Sequence, residues 1–178
     1  MPHRIWVCLG AGSIIFHIWL IFSGLIPSLV SRPIHMALAL PWVFLFAVEN
    51  RFQRFLGFVL TGLGLLFCGS IALNESSLSD QYGYIYGLPQ FITAIGLVLL
   101  TLEMARRAVG WPLPSITILF LIYGLFGNQI PGEFGHQGMP INSFLGTLVI
   151  TEGGLWGKLT GVSVSVVAVF VIFGAMLN

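Results

Sequence analysis

Residues 55–73 read FLGFVLTGLGLLFCGSIAL, a run without a charged side chain, flanked by Arg51 and Arg54 on one side and by Asn74 and Glu75 on the other. A helix rising 1.5 Å per residue needs about 20 apolar residues to cross the hydrocarbon of a bilayer, and this run has that length. It does not alternate with period two as a barrel strand would. Backbone groups in hydrocarbon must bond within their own segment, so the run reads as a membrane-spanning helix. Working outward, similar runs lie at 5–27 and 34–48 before it and at 84–104, 111–130 and 159–177 after it. The run at 34–48 is short, and Arg32 and Glu49 at its ends are expected to reach the headgroups. The fold class expected is an all-α integral membrane protein with about six transmembrane helices. Composition agrees: 57% of residues are hydrophobic and 7% charged, against roughly 25% charged in soluble domains, and mean hydropathy is +0.98.

Arg4 precedes the first run in the manner of a secretory signal. Its apolar stretch exceeds the roughly 7–15 residues of a signal core, and no small-residue cleavage site follows before Arg32, so it is read as a retained helix. If the first five helices all cross, one side receives Arg4, Arg51, Arg54, Arg106 and Arg107 and the other only Arg32 and Lys158. The positive-inside rule then puts the amino terminus in the cytoplasm and the loops at 74–83 and 131–157 outside.

Several function classes find no support in the residues. A net charge of +1 without a basic run gives no footprint for nucleic acid. Cys8 and Cys68 lie in apolar runs without CxxC spacing and read as packing residues. Carboxylates are absent from the helix centres: Glu49 and Glu103 sit at expected ends, and the other acids are in loops. His17 and His35 are the ionisable groups at depth, each read as a lone packing imidazole. Ser13 and His17, one turn apart, read as a local hydrogen bond. His3, His17, His35 and His136 are scattered, with no two at metal-ligand spacing on one helix. No serine-protease or paired-carboxylate arrangement assembles, so the chain is expected not to be an enzyme and to hold no cofactor.

The charged group that stands out is Glu103, Arg106 and Arg107, followed by Gly110 and Trp111. Glu103 reaches Arg106 at i+3 and Arg107 at i+4 in the favourable order, and the cations complement the helix end that Gly110 and Pro112 terminate. It reads as a salt-bridged anchor, or alternatively as a docking surface for a neighbouring bundle. Residues 141–150 carry apolar side chains at helical spacing between Pro140 and Gly153. They are expected to form an amphipathic helix along the outer membrane surface, the alternative being a turn packed on the fifth helix. Gly153, Gly157, Gly161 and Ser165 form a ladder of small residues, expected to let the last helix approach another closely.

LEMARRAVGWPLP at 102–114 resembles the segment that closes the small-subunit region of fused permeases in the tripartite ATP-independent periplasmic (TRAP) transporter family. FLIYGLFG at 120–127, IPG at 130–132, HQG at 136–138, TEGGLWG at 151–157, GVS at 161–163 and FVIFGA at 170–175 follow in the order seen there. RPIHMA at 32–37 is similar to the start of its second helix. The resemblance implies a four-helix small-subunit-like bundle over 1–110, a connecting helix over 111–131, an extracytoplasmic loop with an interfacial helix over 132–158, and the first helix of a large transport region over 159–178. It implies a bacterial or archaeal cytoplasmic (inner) membrane, a periplasmic substrate-binding receptor as partner, and sodium-coupled uptake of small organic anions by the full assembly. Sodium ligands would lie in the large region, and the chain, expected to be a fragment, would not transport alone. The alternatives are a complete small subunit of another complex, or a small membrane enzyme or channel.

Overall fold

The computed structural model describes residues 3–24, 26–46 and 48–177, and among them every regular element is a helix. In chain order these are α1 (His3–Ser23), α2 (Ser28–Leu45), α3 (Arg51–Leu73), α4 (Glu75–Ser79), α5 (Gly87–Val109), α6 (Pro112–Phe126), α7 (Ile141–Val149), α8 (Lys158–Val162) and α9 (Ala168–Met176). A π-helical turn, Ser163–Val167, joins α8 to α9 into one helical rod. Five segments are long and apolar enough to cross a membrane: α1, α2, α3, α5 and the rod Lys158–Met176.

The boundaries differ from the sequence expectation in instructive ways. The second helix begins at Ser28, six positions before the apolar run, so Arg32 stands inside it. Pro33 and Pro41 also lie within it, where each lacks an N–H to donate to the carbonyl four residues earlier. The fourth expected span continues to Val109, which places Glu103 within the helix and not at its end. The run at 111–130 is helical over Pro112–Phe126 and continues as a 3₁₀ turn, Gly127–Gln129. At 15 residues, α6 by itself is shorter than a usual span.

The core lies among α2, α3 and α5, with Leu40, Phe44, Cys68, Ala94, Leu97 and Leu100 buried between them. Glycines bring these helices together. A Cβ on Gly64 would run into Leu40 and Leu100, one on Gly57 into the Phe44 carbonyl, and one on Gly96 into the Phe67 ring. Lipid offers no hydrophobic drive for helices to associate, so such close approach supplies the dispersion contact that holds them.

The helix ends segregate into two groups. At one end Trp6 of α1 stacks on Trp42 and Phe46, and the start of α3 meets Phe44 at Gly57. Arg51, Arg54, Arg106 and Arg107 belong to this end. At the other, the Ile85 amide donates to the Asn142 carbonyl at 3.4 Å and Gly146 abuts the Gly83 carbonyl, so the loop between α4 and α5 lies against α7. Helix α7 forms as its periodicity predicts. Its Leu145, Gly146 and Val149 are buried, facing the bundle, while Ile141 is exposed.

Candidate functional site

Two polar clusters stand out in this apolar molecule. The first is at the arginine end of α5. Arg106 grips Glu103 in a two-pronged contact, Nε to Oε2 at 2.7 Å and Nη2 to Oε1 at 2.8 Å, and Arg107 Nε donates to Oε1 at 2.8 Å. The i+3 and i+4 spacing places both cations over one carboxylate. Arg107 also reaches across to α2, with Nη1 3.5 Å from the Phe44 carbonyl and the guanidinium 4.8 Å from the Phe44 ring centroid. The Arg106 guanidinium lies 5.5 Å from the centre of the exposed Trp111 ring. Gly110 ends the helix at φ 86°, a left-handed conformation that glycine adopts without a Cβ clash. The cluster therefore clamps the ends of α2 and α5 together, and all five residues singled out from the sequence take part in it or bound it.

The second cluster is one that reading residues singly does not reveal. His17 Nε2 and His35 Nδ1 are 2.8 Å apart, on the adjacent helices α1 and α2. His17 Nδ1 lies 2.6 Å from the Ser13 carbonyl, and His35 Nε2 lies 3.2 Å from Ser163 Oγ in the π turn. The expectation of two separate packing imidazoles is thus corrected, because antiparallel helices joined by a short loop return positions 18 residues apart to the same depth. The expected Ser13–His17 contact exists, but it uses the Ser13 backbone oxygen and not the hydroxyl.

Arg32 sits nearer the loop end of the same face. It donates through Nη1 to the Trp156 carbonyl and lies 3.7 Å from the exposed Glu152 carboxylate. Trp156 is fully buried, with Nε1 donating to the Val149 carbonyl at 2.5 Å. Of the small-residue ladder, Gly153 lies in the turn before the rod and Gly157 is the N-cap residue just before α8. Gly161 lies within α8, where a Cβ would press on the Arg32 guanidinium. The close approach at Gly161 is therefore to a side chain of α2. Ser165 bonds back to the Gly161 carbonyl at 2.9 Å.

Between α2, α5 and the rod runs a groove of about 440 Å³. Its walls are mostly apolar, including Met36, Ala39, Val43 and Met104, and His35, Ser163, Thr101 and Thr160 are its polar members. Among the described residues no three His, Cys, Asp or Glu side chains converge as a metal site would need.

Five helices long and apolar enough to cross a membrane mark a multi-pass membrane protein, all-helical among the described residues. No known protein family, curated protein or solved structure matches the chain.

Proposed function

We propose that the chain is the membrane scaffold portion of a TRAP-type secondary transporter, acting with a large transport region and a periplasmic substrate receptor to take up small organic anions, with sodium as coupling ion. The observation that supports this most is the meeting of stretches that resemble the family. RPIHMA and TEGGLWG lie far apart in sequence, yet Arg32 of the first bonds the carbonyl of Trp156, 124 residues away, in the second. LEMARRAVGWPLP supplies the clamp that ties α5 to α2.

A scaffold has to stay fixed while another part moves, and close-packed helices do so because packed interiors are stiff. In this reading the arginine end faces the cytoplasm of a bacterial or archaeal cell. The loop end, where the segments around Gly83 and Gly146 pack together, then faces the receptor. The chain is not an enzyme in this account and takes no cofactor. Sodium binds in the large region, because transporters hold coupling ions at broken helices or intramembrane carboxylates near the midplane.

Proteoliposomes test the proposal. Residues 1–178 alone, under a sodium gradient, are expected to accumulate no labelled organic acid. Joined to the large region and supplied with the receptor, they are expected to support sodium-dependent uptake. Receptor-dependent accumulation by the chain alone would place the transport site here and sink the scaffold reading.

A further inference from the structure

His17 lies six positions before the end of α1, His35 seven positions into α2, and Ser163 five positions beyond the start of α8. At about 1.5 Å per residue, all three sit about 8–10 Å inside the loop end of the bundle. They form one line of hydrogen bonds across three helices, ending on the Ser13 carbonyl.

The heavy atoms of that line fix its protons. A carbonyl can only accept, so His17 Nδ1 carries hydrogen and, in the neutral ring, Nε2 carries a lone pair. His35 Nδ1 then has to donate to His17 Nε2, which leaves His35 Nε2 to accept from the Ser163 hydroxyl. Both rings are held as the Nδ1–H tautomer, the reverse of what neutral imidazole favours in water, because the partner of each nitrogen decides its state.

An added proton has one place to enter without breaking the line. His17 Nδ1 and His35 Nδ1 already carry hydrogen. A proton on His17 Nε2 would set it against the His35 N–H. At His35 Nε2 the hydroxyl of Ser163 has only to rotate, so that its oxygen accepts where its hydrogen had been donated. Access matches this asymmetry. His17 is buried at 7% exposure, whereas His35 and Ser163 both line the groove between α2, α5 and the rod. Ser163 also opens the π turn, an irregularity that occurs often at functional sites.

The surroundings carry few competing charges. From α1 the titratable group facing His35 is His17. On α2 it is Arg32, one turn nearer the loop end and engaged by the Trp156 carbonyl and Glu152. Lys158 stands at the start of the rod. Across the groove, α5 presents Thr101, Met104, Ala105 and Ala108.

We propose that His35, backed by His17 and faced by Ser163, is a proton-binding site inside the bundle, which takes one proton at His35 Nε2 from water entering the groove. The pair takes up one proton and not two. Nothing in this depends on the transporter reading, and its test uses no transport assay, so either can fail without the other.

The test is nitrogen NMR of the full chain, with ¹⁵N-labelled histidine, in lipid nanodiscs across a pH titration, with His3→Gln and His136→Gln removing the other two signals. In alkaline buffer both remaining rings should show a protonated Nδ1 and a bare Nε2. On acidification His35 Nε2 should gain a proton, while a single hydrogen remains shared between His17 Nε2 and His35 Nδ1. Either ring carrying Nε2–H in alkaline buffer would overturn the proposal, as would protonation of both rings or of neither before the protein unfolds. His17→Phe removes the acceptor and should return His35 to the Nε2–H tautomer. Retention of Nδ1–H in that variant would also contradict the proposal. Ser163→Ala should leave both alkaline tautomers unchanged, since the Ser13 carbonyl sets them, and a switch in either would count against the line as drawn.

Discussion

The trio α2, α3 and α5 is held by glycines that let backbones touch, whereas α1 and the rod Lys158–Met176 bury little of their length and join it through a few polar groups and the aromatic packing of Trp6. In the trio, Gly57, Gly64 and Gly96 each leave room that a neighbouring helix fills. On the other face, α1 buries 6% of its span and the rod 6%, against 33% for α2. Their polar links are the His17–His35–Ser163 line and the grip of Arg32 on the Trp156 carbonyl, and α1 adds the packing of Trp6 on Trp42 and Phe46. In lipid the first mode gains from dispersion over a long seam, and the second from a few hydrogen bonds of modest worth. The trio should therefore behave as the rigid part, and the α1–rod face as the part that yields first.

The largest effect should come from crowding the trio. Gly57→Ala drives a methyl into the Phe44 backbone, which has nowhere to retreat, and should cost about 1–3 kcal/mol in an unfolding titration. Gly62, on the same helix with no atom near its missing Cβ, is the control. Gly62→Ala should be neutral, or stabilising by up to about 1 kcal/mol from helix propensity. Equal effects at the two sites would break the distinction between seam and surface.

The clamp should come next. Glu103→Ala leaves Arg106 and Arg107 side by side without their carboxylate. Because Glu103 and Arg106 are partly open to their surroundings, the cost should be on the order of 1 kcal/mol, less than for a fully buried pair. Loss of inserted protein, measured by quantitative blotting of membranes, should follow. Unchanged amounts would show that the clamp is dispensable.

The smallest effect should be at the polar face. His35→Ala removes one intramembrane hydrogen-bond line, worth about 0.6 kcal/mol on average and about 1.7 at most. Spin labels at Cys8 and at an introduced Gln53→Cys, with Cys68→Ser, should report a broader distance distribution between α1 and α3. Thermal stability should change little. A sharp distribution with a large loss of stability would reverse the ranking.

The contrast between the two faces also separates what the sequence reveals from what it conceals. Local features were legible: the apolar runs, the i+3 and i+4 contacts of Glu103, the stop at Gly110 and the helix after Pro140 depend on neighbours in the chain. Features that depend on how helices pair were not. Nothing near His17 points to His35, and nothing near Arg32 points to Trp156. The sequence places the start of α2 too late because Arg32 reads as a border charge, whereas Trp156 supplies a carbonyl that lets it sit inside the helix. The π turn at Ser163–Val167 leaves no mark in SVSVV that differs from any β-branched run.

In the proposed scaffold the helices cross the bilayer with their arginine-bearing ends on the cytoplasmic side. Single cysteines at position 53, beside Arg51 and Arg54, and at position 79, at the end of α4, test this in intact cells once Cys8 and Cys68 are replaced by serine. A membrane-impermeant thiol reagent is predicted to label Ser79→Cys, and to leave Gln53→Cys unlabelled until the membrane is permeabilised. Labelling of position 53 but not of position 79 would contradict the orientation, and with it the assignment of the loop end to the receptor side.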